Sequence, residues 1–216
     1  MQLLAGVAGR VPCVNEVRGL LLLHAKYPIA GAGAAFPQPE THAATDPETL
    51  ARIAAEAGGR WVVKPPAGSF GRGVAVAEAG SAELEAALGA LTAGGRYALL
   101  QRWCPEARTG EHRVLVAGGG IVGSYARRPA PGAAASNLAA GGRCEPALPD
   151  PARDAIALRA AAVLAEQGVR FAGLDIAGPW VLEANVINPG GLATLAELGD
   201  RAAPDRLVDA LLEDGP

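Results

Sequence analysis

Asp175, Glu183 and Asn185 are the residues whose types and spacing come nearest to a chemical site. They lie in Phe171–Pro189, where Gly178-Pro179 signals a turn between two strand-like runs. Folding back at that turn sets Asp175 across from the Glu183 region, to within one residue of register. Strand alternation then puts Glu183 and Asn185, two residues apart, on one face. Two carboxylates and an amide oxygen are hard donors of the kind Mg²⁺ uses beside nucleotide phosphates, and the repulsion between carboxylates itself favours a cation. Solvated edge positions are the plainer reading, but Leu174, Ile176, Val181, Leu182 and Val186 around them are apolar. General acid–base cleavage of a glycoside would also use paired carboxylates, yet it leaves a second feature unexplained.

That feature is Trp61-Val62-Val63-Lys64-Pro65 followed by Gly68-Ser69-Phe70-Gly71-Arg72-Gly73. Here a strand ends in a lysine and runs into a glycine-rich loop. Glycines let backbone N–H groups approach phosphate oxygens, and the lysine adds a point charge for them. A plain glycine-rich hairpin fits the segment taken alone. It is not a Walker A loop, because no Gly-Lys-Ser/Thr opens a helix. Gly118-x-Gly120-x-x-Gly123 matches a dinucleotide fingerprint in form but lies between two strands with no helix after it, and reads as a hairpin turn. Arg113, Arg127 and Arg128 sit on or beside central strands, where guanidinium forks match carboxylate or phosphate.

The elements that must position these residues follow from periodicity and caps. Val11–Val14 reads as a strand and Asn15 to about Ala25 as a short helix. Asp46-Pro47 opens a helix that Gly58-Gly59 closes. Strands at Trp61–Lys64, Val74–Ala77 and Tyr97–Gln101 flank a helix at Ser81–Leu91. Further on come strands at His112–Val116 and Ile121–Ala126, then a loop with local disorder expected around Ala130–Ser136. A helix capped by Asp150-Pro151 runs to Gly168, strands follow at Arg170–Ile176 and Trp180–Asn185, and Pro204–Leu212 is a last helix. The fold class is α+β, with two lobes that each set a sheet against helices and leave a ligand cleft between them.

Composition agrees with a small-molecule protein. The 216 residues are half apolar, and a net charge of −3 offers no basic surface for nucleic acid. No stretch has the roughly 20 apolar residues of a membrane helix. Cys13, Cys104 and Cys144 form no C-x-x-C pair, and His24, His42 and His112 lack metal-ligand spacing. A reducing cytoplasm is the expected location.

With these residues in place, the chain resembles the ATP-grasp superfamily and, within it, the bacterial glutathione synthetases. The similarity runs from about Val11 to the C-terminus and is carried by four ordered stretches. These are Lys64-Pro65 with Gly71-Arg72-Gly73; Gln101–Glu106 with Gly110-Glu111-His112-Arg113; Asn137–Arg143; and Gly173–Ile176 with Glu183–Val186. The resemblance implies an ATP-grasp fold with residues 29–98 as the small lobe or lid and 99–216 as the large lobe holding Mg-ATP. Residues 1–28 would be the remnant of a truncated N-terminal domain.

It further implies that Lys26 and Lys64 contact ATP phosphates beneath the closing loop Gly68–Gly73, with Gly71, Arg72 and Gly73 in it. Leu100–Trp103, that is Leu100, Gln101, Arg102 and Trp103, would offer backbone groups to adenine, and Glu111 would meet the ribose. Asp175, Glu183 and Asn185 would hold Mg²⁺ or Mn²⁺, while Arg113 and Arg127 would serve the transferred phosphoryl group and the substrate. Such enzymes phosphorylate a carboxylate and let an amine displace the phosphate, so no nucleophilic side chain is needed.

Three departures bear on the substrate. The segment before Lys26 is short. Ala135 stands where the family has an arginine. Ile187-Asn188-Pro189-Gly190-Gly191 is closer to the Asn-Pro-Gly of related amino-acid ligases than to Thr-Ser-Pro. The expectation is an ATP-dependent carboxylate–amine ligase with amino-acid or peptide substrates. The alternative is a non-catalytic ATP-binding subunit, either a homo-oligomer or one that needs a separate substrate-domain partner.

Overall fold

A computed structural model describes residues 4, 6, 8, 10–24, 26, 36–68, 72–130 and 141–213. Gly71, with Ser69 and Phe70, lies outside them, as do Ala135 and the stretch 137–140.

The first sheet holds β1 (Thr41–Ala44), β2 (Arg60–Lys64), β3 (Ala75–Glu78) and β4 (Ala98–Arg102), in the antiparallel order β1-β4-β2-β3. Two helices cover it, α2 (Pro47–Ala57) and α3 (Ala82–Thr92). Asp46 accepts from the Glu48 and Thr49 amides and Ser81 from the Leu84 amide, so both helices start at a side-chain cap. Leu50 and Ala54 of α2, Leu84 and Leu88 of α3, and Trp61, Val63 and Leu100 of the strands close one apolar cluster. β4 pairs on both sides within this sheet and runs to Arg102, past the boundary at residue 98 that the sequence suggested.

The second sheet holds β5 (Glu111–Ala117), β6 (Gly120–Arg128), β7 (Arg143–Pro146), β8 (Phe171–Ala177) and β9 (Trp180–Asn185), in the order β7-β6-β5-β8-β9. One face packs on α4 (Pro151–Glu166) through Val114, Val116, Leu174 and Ile176 against Ala157, Ala160 and Leu164. The other face carries Leu115, Ala117 and Tyr125 against α5 (Leu192–Glu197) and α6 (Ala203–Glu213). Gly118 and Gly119 turn β5 into β6 with positive φ, as a hairpin there requires.

Val11–Val14 is not a strand. Val11 and Val14 are half exposed, and the segment pairs with neither sheet. β-branched residues form a strand only where a neighbouring edge accepts their hydrogen bonds, and Pro12 removes one donor. β1, β7 and α5 escaped the sequence because THAA and RCEP are four-residue edge strands without apolar alternation, and α5 is under two turns. Among the described residues no helix is long and apolar enough to cross a membrane.

Asn15 fastens the start of the chain to the second sheet, just ahead of α1 (Val17–Leu23). Its amide donates to Phe171 O at 2.7 Å and Val186 O at 2.9 Å, and its Oδ1 accepts from Phe171 N at 2.7 Å. Asn15→Ala leaves three backbone groups without these partners. We expect a loss of about 2–4 kcal/mol, read as a lower urea midpoint at unchanged m-value.

Candidate functional site

The two sheets bring different charges to one region. In the second sheet, cross-strand register sets Glu111 opposite Arg127, Arg113 opposite Asp175, Asp175 opposite Glu183 and Gly173 opposite Asn185. Because β5 alternates, Glu111 and Arg113 share the face of Leu115 and Ala117, which α5 and α6 cover. The same face is therefore apolar at one end and charged at the other. A register shift on β9 between Val181 and Glu183 preserves this pairing.

Asp175 is 6% exposed and sits at the centre. Arg113 grips it with both forks, Nε to Oδ1 at 2.6 Å and Nη2 to Oδ2 at 3.0 Å. Arg127 Nη2 bridges it to Glu111, lying 2.7 Å from Glu111 Oε1 and in close contact with Asp175 Oδ1. Asn185 Nδ2 donates to Asp175 Oδ2 at 3.2 Å. Burial alone would raise the Asp175 carboxyl, but Arg113 and Arg127 outweigh it and hold the group below its ordinary value. Glu111 goes the other way. Burial, then the Asp175 charge, push it up to about 7 against the pull of Arg127 and Arg113. Arg127 Nε is buried and has no hydrogen-bond partner in the structure. A buried donor left alone is costly, so this N–H marks a place for an acceptor.

The first sheet contributes Lys64, 6% exposed at the end of β2. Its ammonium donates to Gln101 Oε1 at 2.8 Å. Burial lowers its pKa to about 8; Glu183 opposes the drop and Lys26 adds to it. Lys26 lies 3.3 Å from Glu183 Oε2, and its backbone amide donates to Pro66 O. Lys26, Lys64, Arg113 and Arg127 thus face Glu111, Asp175 and Glu183, an excess of positive charge.

Asp175, Glu183, Asn185, Arg113, Arg127, Glu111, Lys26 and Lys64 are therefore brought together in the structure. Of the remaining sequence-predicted residues, Gly71 lies outside the described residues, Gln101 joins the cluster through Lys64, and Arg72, Gly73, Arg102 and Trp103 have other surroundings. Arg72 is exposed, and Gly73, at φ +70°, lies beside Pro65 and Leu91. Gln101 turns its amide to Lys64. Arg102 stacks 3.9 Å over the Trp61 ring and donates to Gly58 O and Glu40. The amides of Arg102 and Trp103 donate to Glu40 O and Arg60 O, so these two N–H groups are engaged within the protein.

Sequence reasoning missed three participants. Thr41 accepts from Gln101 Nε2, and no periodic signal marked its strand. Gly190 O accepts from Arg113 Nη1 at 2.9 Å, which draws the loop before α5 onto the site. Tyr125 stands opposite Arg113, and strand alternation from Arg127 points to it.

The chain is similar to known proteins over most of its length. A family model described as prokaryotic glutathione synthetase, ATP-grasp domain, matches residues 33–200. The glutathione synthetase of Parasynechococcus marenigrum (strain WH8102) is 35% identical over 152 residues, 69% of this chain and 49% of that protein. The chain spans about half the length of the curated relatives it matches. Among solved structures, D-cycloserine synthetase DcsG superposes with a TM-score of 0.71 at 21% identity, covering 88% of this chain and 71% of that one. A RimK domain ATP-grasp protein from Sphaerobacter thermophilus DSM 20745 gives 0.70 at 24% identity, with 98% and 76% covered. Two antiparallel sheets with their covering helices make up the ATP-grasp fold, and the chain belongs to the prokaryotic glutathione synthetase ATP-grasp domain family.

Proposed function

We propose that this chain binds ATP with a divalent cation and catalyses the joining of a carboxylate to an amine through an acyl phosphate. The observation that carries the reading is the buried cluster around Asp175, where two arginines and two lysines converge on three carboxylates. Family membership supports the same reading.

The donor set fits Mg²⁺ or Mn²⁺. Asp175 and Glu183 are cross-strand neighbours, and Asn185 needs only to turn its amide over to present oxygen instead of nitrogen. Turned over, Asn185 would add an amide oxygen to the two carboxylates. A cation held there supplies charge neutralisation for the nucleotide phosphates.

The remaining work falls to the chain's own residues. Lys26 and Lys64 hold the phosphates, and the unpartnered Arg127 Nε takes an oxygen of the acid substrate. Arg113, fixed by Asp175 and Gly190, neutralises charge that develops on the transferred group. In the first step a carboxylate oxygen forms a bond to the γ-phosphorus while the bond to the β,γ-bridging oxygen breaks, and ADP leaves with that electron pair. In the second, the amine nitrogen bonds to the acyl carbon, the carbon–oxygen bond to phosphate breaks, and the nitrogen gives up a proton. Both steps need positioning and charge, and no side-chain nucleophile. The substrates proposed are amino acids or short peptides.

The direct test is ADP release across a panel of amino acids and dipeptides, each acid supplied with and without an amine. Release should require both. Glu183→Gln should cut the rate by at least about 10- to 100-fold, the cost of disturbing even a partner of a metal ligand; a variant as fast as wild type would remove the metal assignment.

A second expectation follows from Lys64. Its charge is needed for phosphate and is lost above about pH 8, so the ATP dissociation constant should be flat below that pH. Above it the constant should climb by a factor approaching ten per unit. Calorimetric titration between pH 7 and 9.5 reads this directly, and Lys64→Arg should flatten the profile. Folding stability moves oppositely: the folded pKa lies below the unfolded one, so stability rises with pH from about 8 towards 10.5.

A further inference from the structure

Lys64 is held by a hydrogen-bond chain whose direction is fixed by its far end. Thr41 Oγ1 donates its single hydrogen to Pro39 O at 2.9 Å. It can therefore only accept from Gln101, whose Nε2 donates to it at 2.9 Å. That places the amide nitrogen towards β1 and the amide oxygen towards β2, where Lys64 Nζ donates to it at 2.8 Å. Register makes this possible. Thr41 and Gln101 are directly opposed on β1 and β4, while Lys64 pairs with Leu99, two residues from Gln101 on the same strand. Gln101 and Lys64 are both buried, at 8% and 6% exposure, so neither has ready access to water as a substitute partner.

We infer that Thr41 is a positioning residue for nucleotide binding, acting through the Gln101 amide to aim the Lys64 ammonium. The inference rests on the reading that Lys64 contacts ATP phosphates, and it adds a residue on a different strand. An ammonium has three hydrogens and no lone pair. With Gln101 oriented by Thr41, one hydrogen is engaged and two are left for phosphate oxygens. Without the Thr41 hydroxyl, the Gln101 NH₂ loses the acceptor that fixes it toward β1, and only the Lys64 ammonium still holds the amide oxygen toward β2. The amide is then less firmly placed, and the Lys64 ammonium with it.

The test is a double-mutant cycle on the full chain, with Mg-ATP binding measured by calorimetry and thermal unfolding recorded for each variant. Thr41→Val is nearly isosteric and should raise the dissociation constant about tenfold, the weight of one hydrogen bond to a charged group. Thr41→Ser keeps the hydroxyl and should return within about twofold of wild type. In a Lys64→Met background, Thr41→Val should add nothing, because the residue it acts through is gone. If Thr41→Val instead weakens binding equally with and without Lys64, Thr41 serves β1 alone and the inference is overturned. If Lys64→Met binds Mg-ATP as wild type does, the phosphate role of Lys64 falls first and takes the inference with it. Thr41→Val with wild-type affinity overturns the relay and leaves the role of Lys64 standing.

Discussion

A carboxylate at the middle of a sheet is tolerable only when paired, and the pairing of Asp175 organises the large lobe. Removing an ion from water costs several kcal/mol even after relaxation, so an isolated Asp175 would protonate or unfold the strand. Arg113 answers with a bidentate grip and Arg127 with a second contact. Arg113 sits on β5, antiparallel to the strand of Asp175, and Arg127 on β6 beyond it, so the ion cluster also fixes register. A one-residue slip of β5 against β8 would turn Arg113 into the cluster of Leu174, Ile176 and α4. The hydrophobic face and the charged face thus enforce the same alignment. Agreement between those two demands makes the alignment unique.

The same constraint extends into the loop after β9. Arg113 Nη1 is not used by Asp175, and it donates to Gly190 O. Gly191 follows at φ +142°, with Tyr125 and Leu115 close against its Cα, and α5 begins at the next residue. A side chain at 191 would meet both neighbours and an unfavourable backbone. Loop position is therefore set by an arginine that belongs to the charged cluster and by a glycine that lets the chain come close. The sequence difference at Ile187–Gly191 includes Gly190, whose carbonyl is tied to Asp175 through Arg113.

Legibility in the sequence followed the strength of local signals. The caps at Asp46 and Asp150, the turn at Gly178 and the alternation that puts Glu183 and Asn185 on one face of β9 are short-range features, and the structure has each of them. The Asp175–Glu183 pairing could be read because one turn joins the two strands. Thr41 could not. Its strand is four residues long, at a sheet edge, and its partner Gln101 is 60 residues away. Val11–Val14 failed for the opposite reason, since propensity was present and a partner edge was not. The bonds of the Arg102 and Trp103 amides to Glu40 O and Arg60 O were also beyond reach. Long-range partners decide such cases, and a single sequence does not carry them.

Charged pairs and backbone hydrogen bonds join the two lobes. Among the described residues, the apolar cluster of the first sheet shares no member with the two clusters of the second. What links them includes the Lys26–Glu183 pair, the field of Glu183 and Asp175 at Lys64, and backbone bonds such as Lys26 N to Pro66 O and Val181 N to Pro37 O. Polar junctions of this kind resist small rotations less than packed apolar ones. Four cationic groups against three acidic ones also leave the junction short of negative charge, and the rise of Glu111 deepens that shortage. A polyanion carrying its own divalent cation supplies both missing elements, negative charge for the lysines and arginines and positive charge for Asp175 and Glu183. On the proposed reading, the nucleotide is then more than a substrate. It completes the electrostatic contact between lobes that the chain alone leaves unbalanced, and its binding energy is available to order the site before chemistry begins.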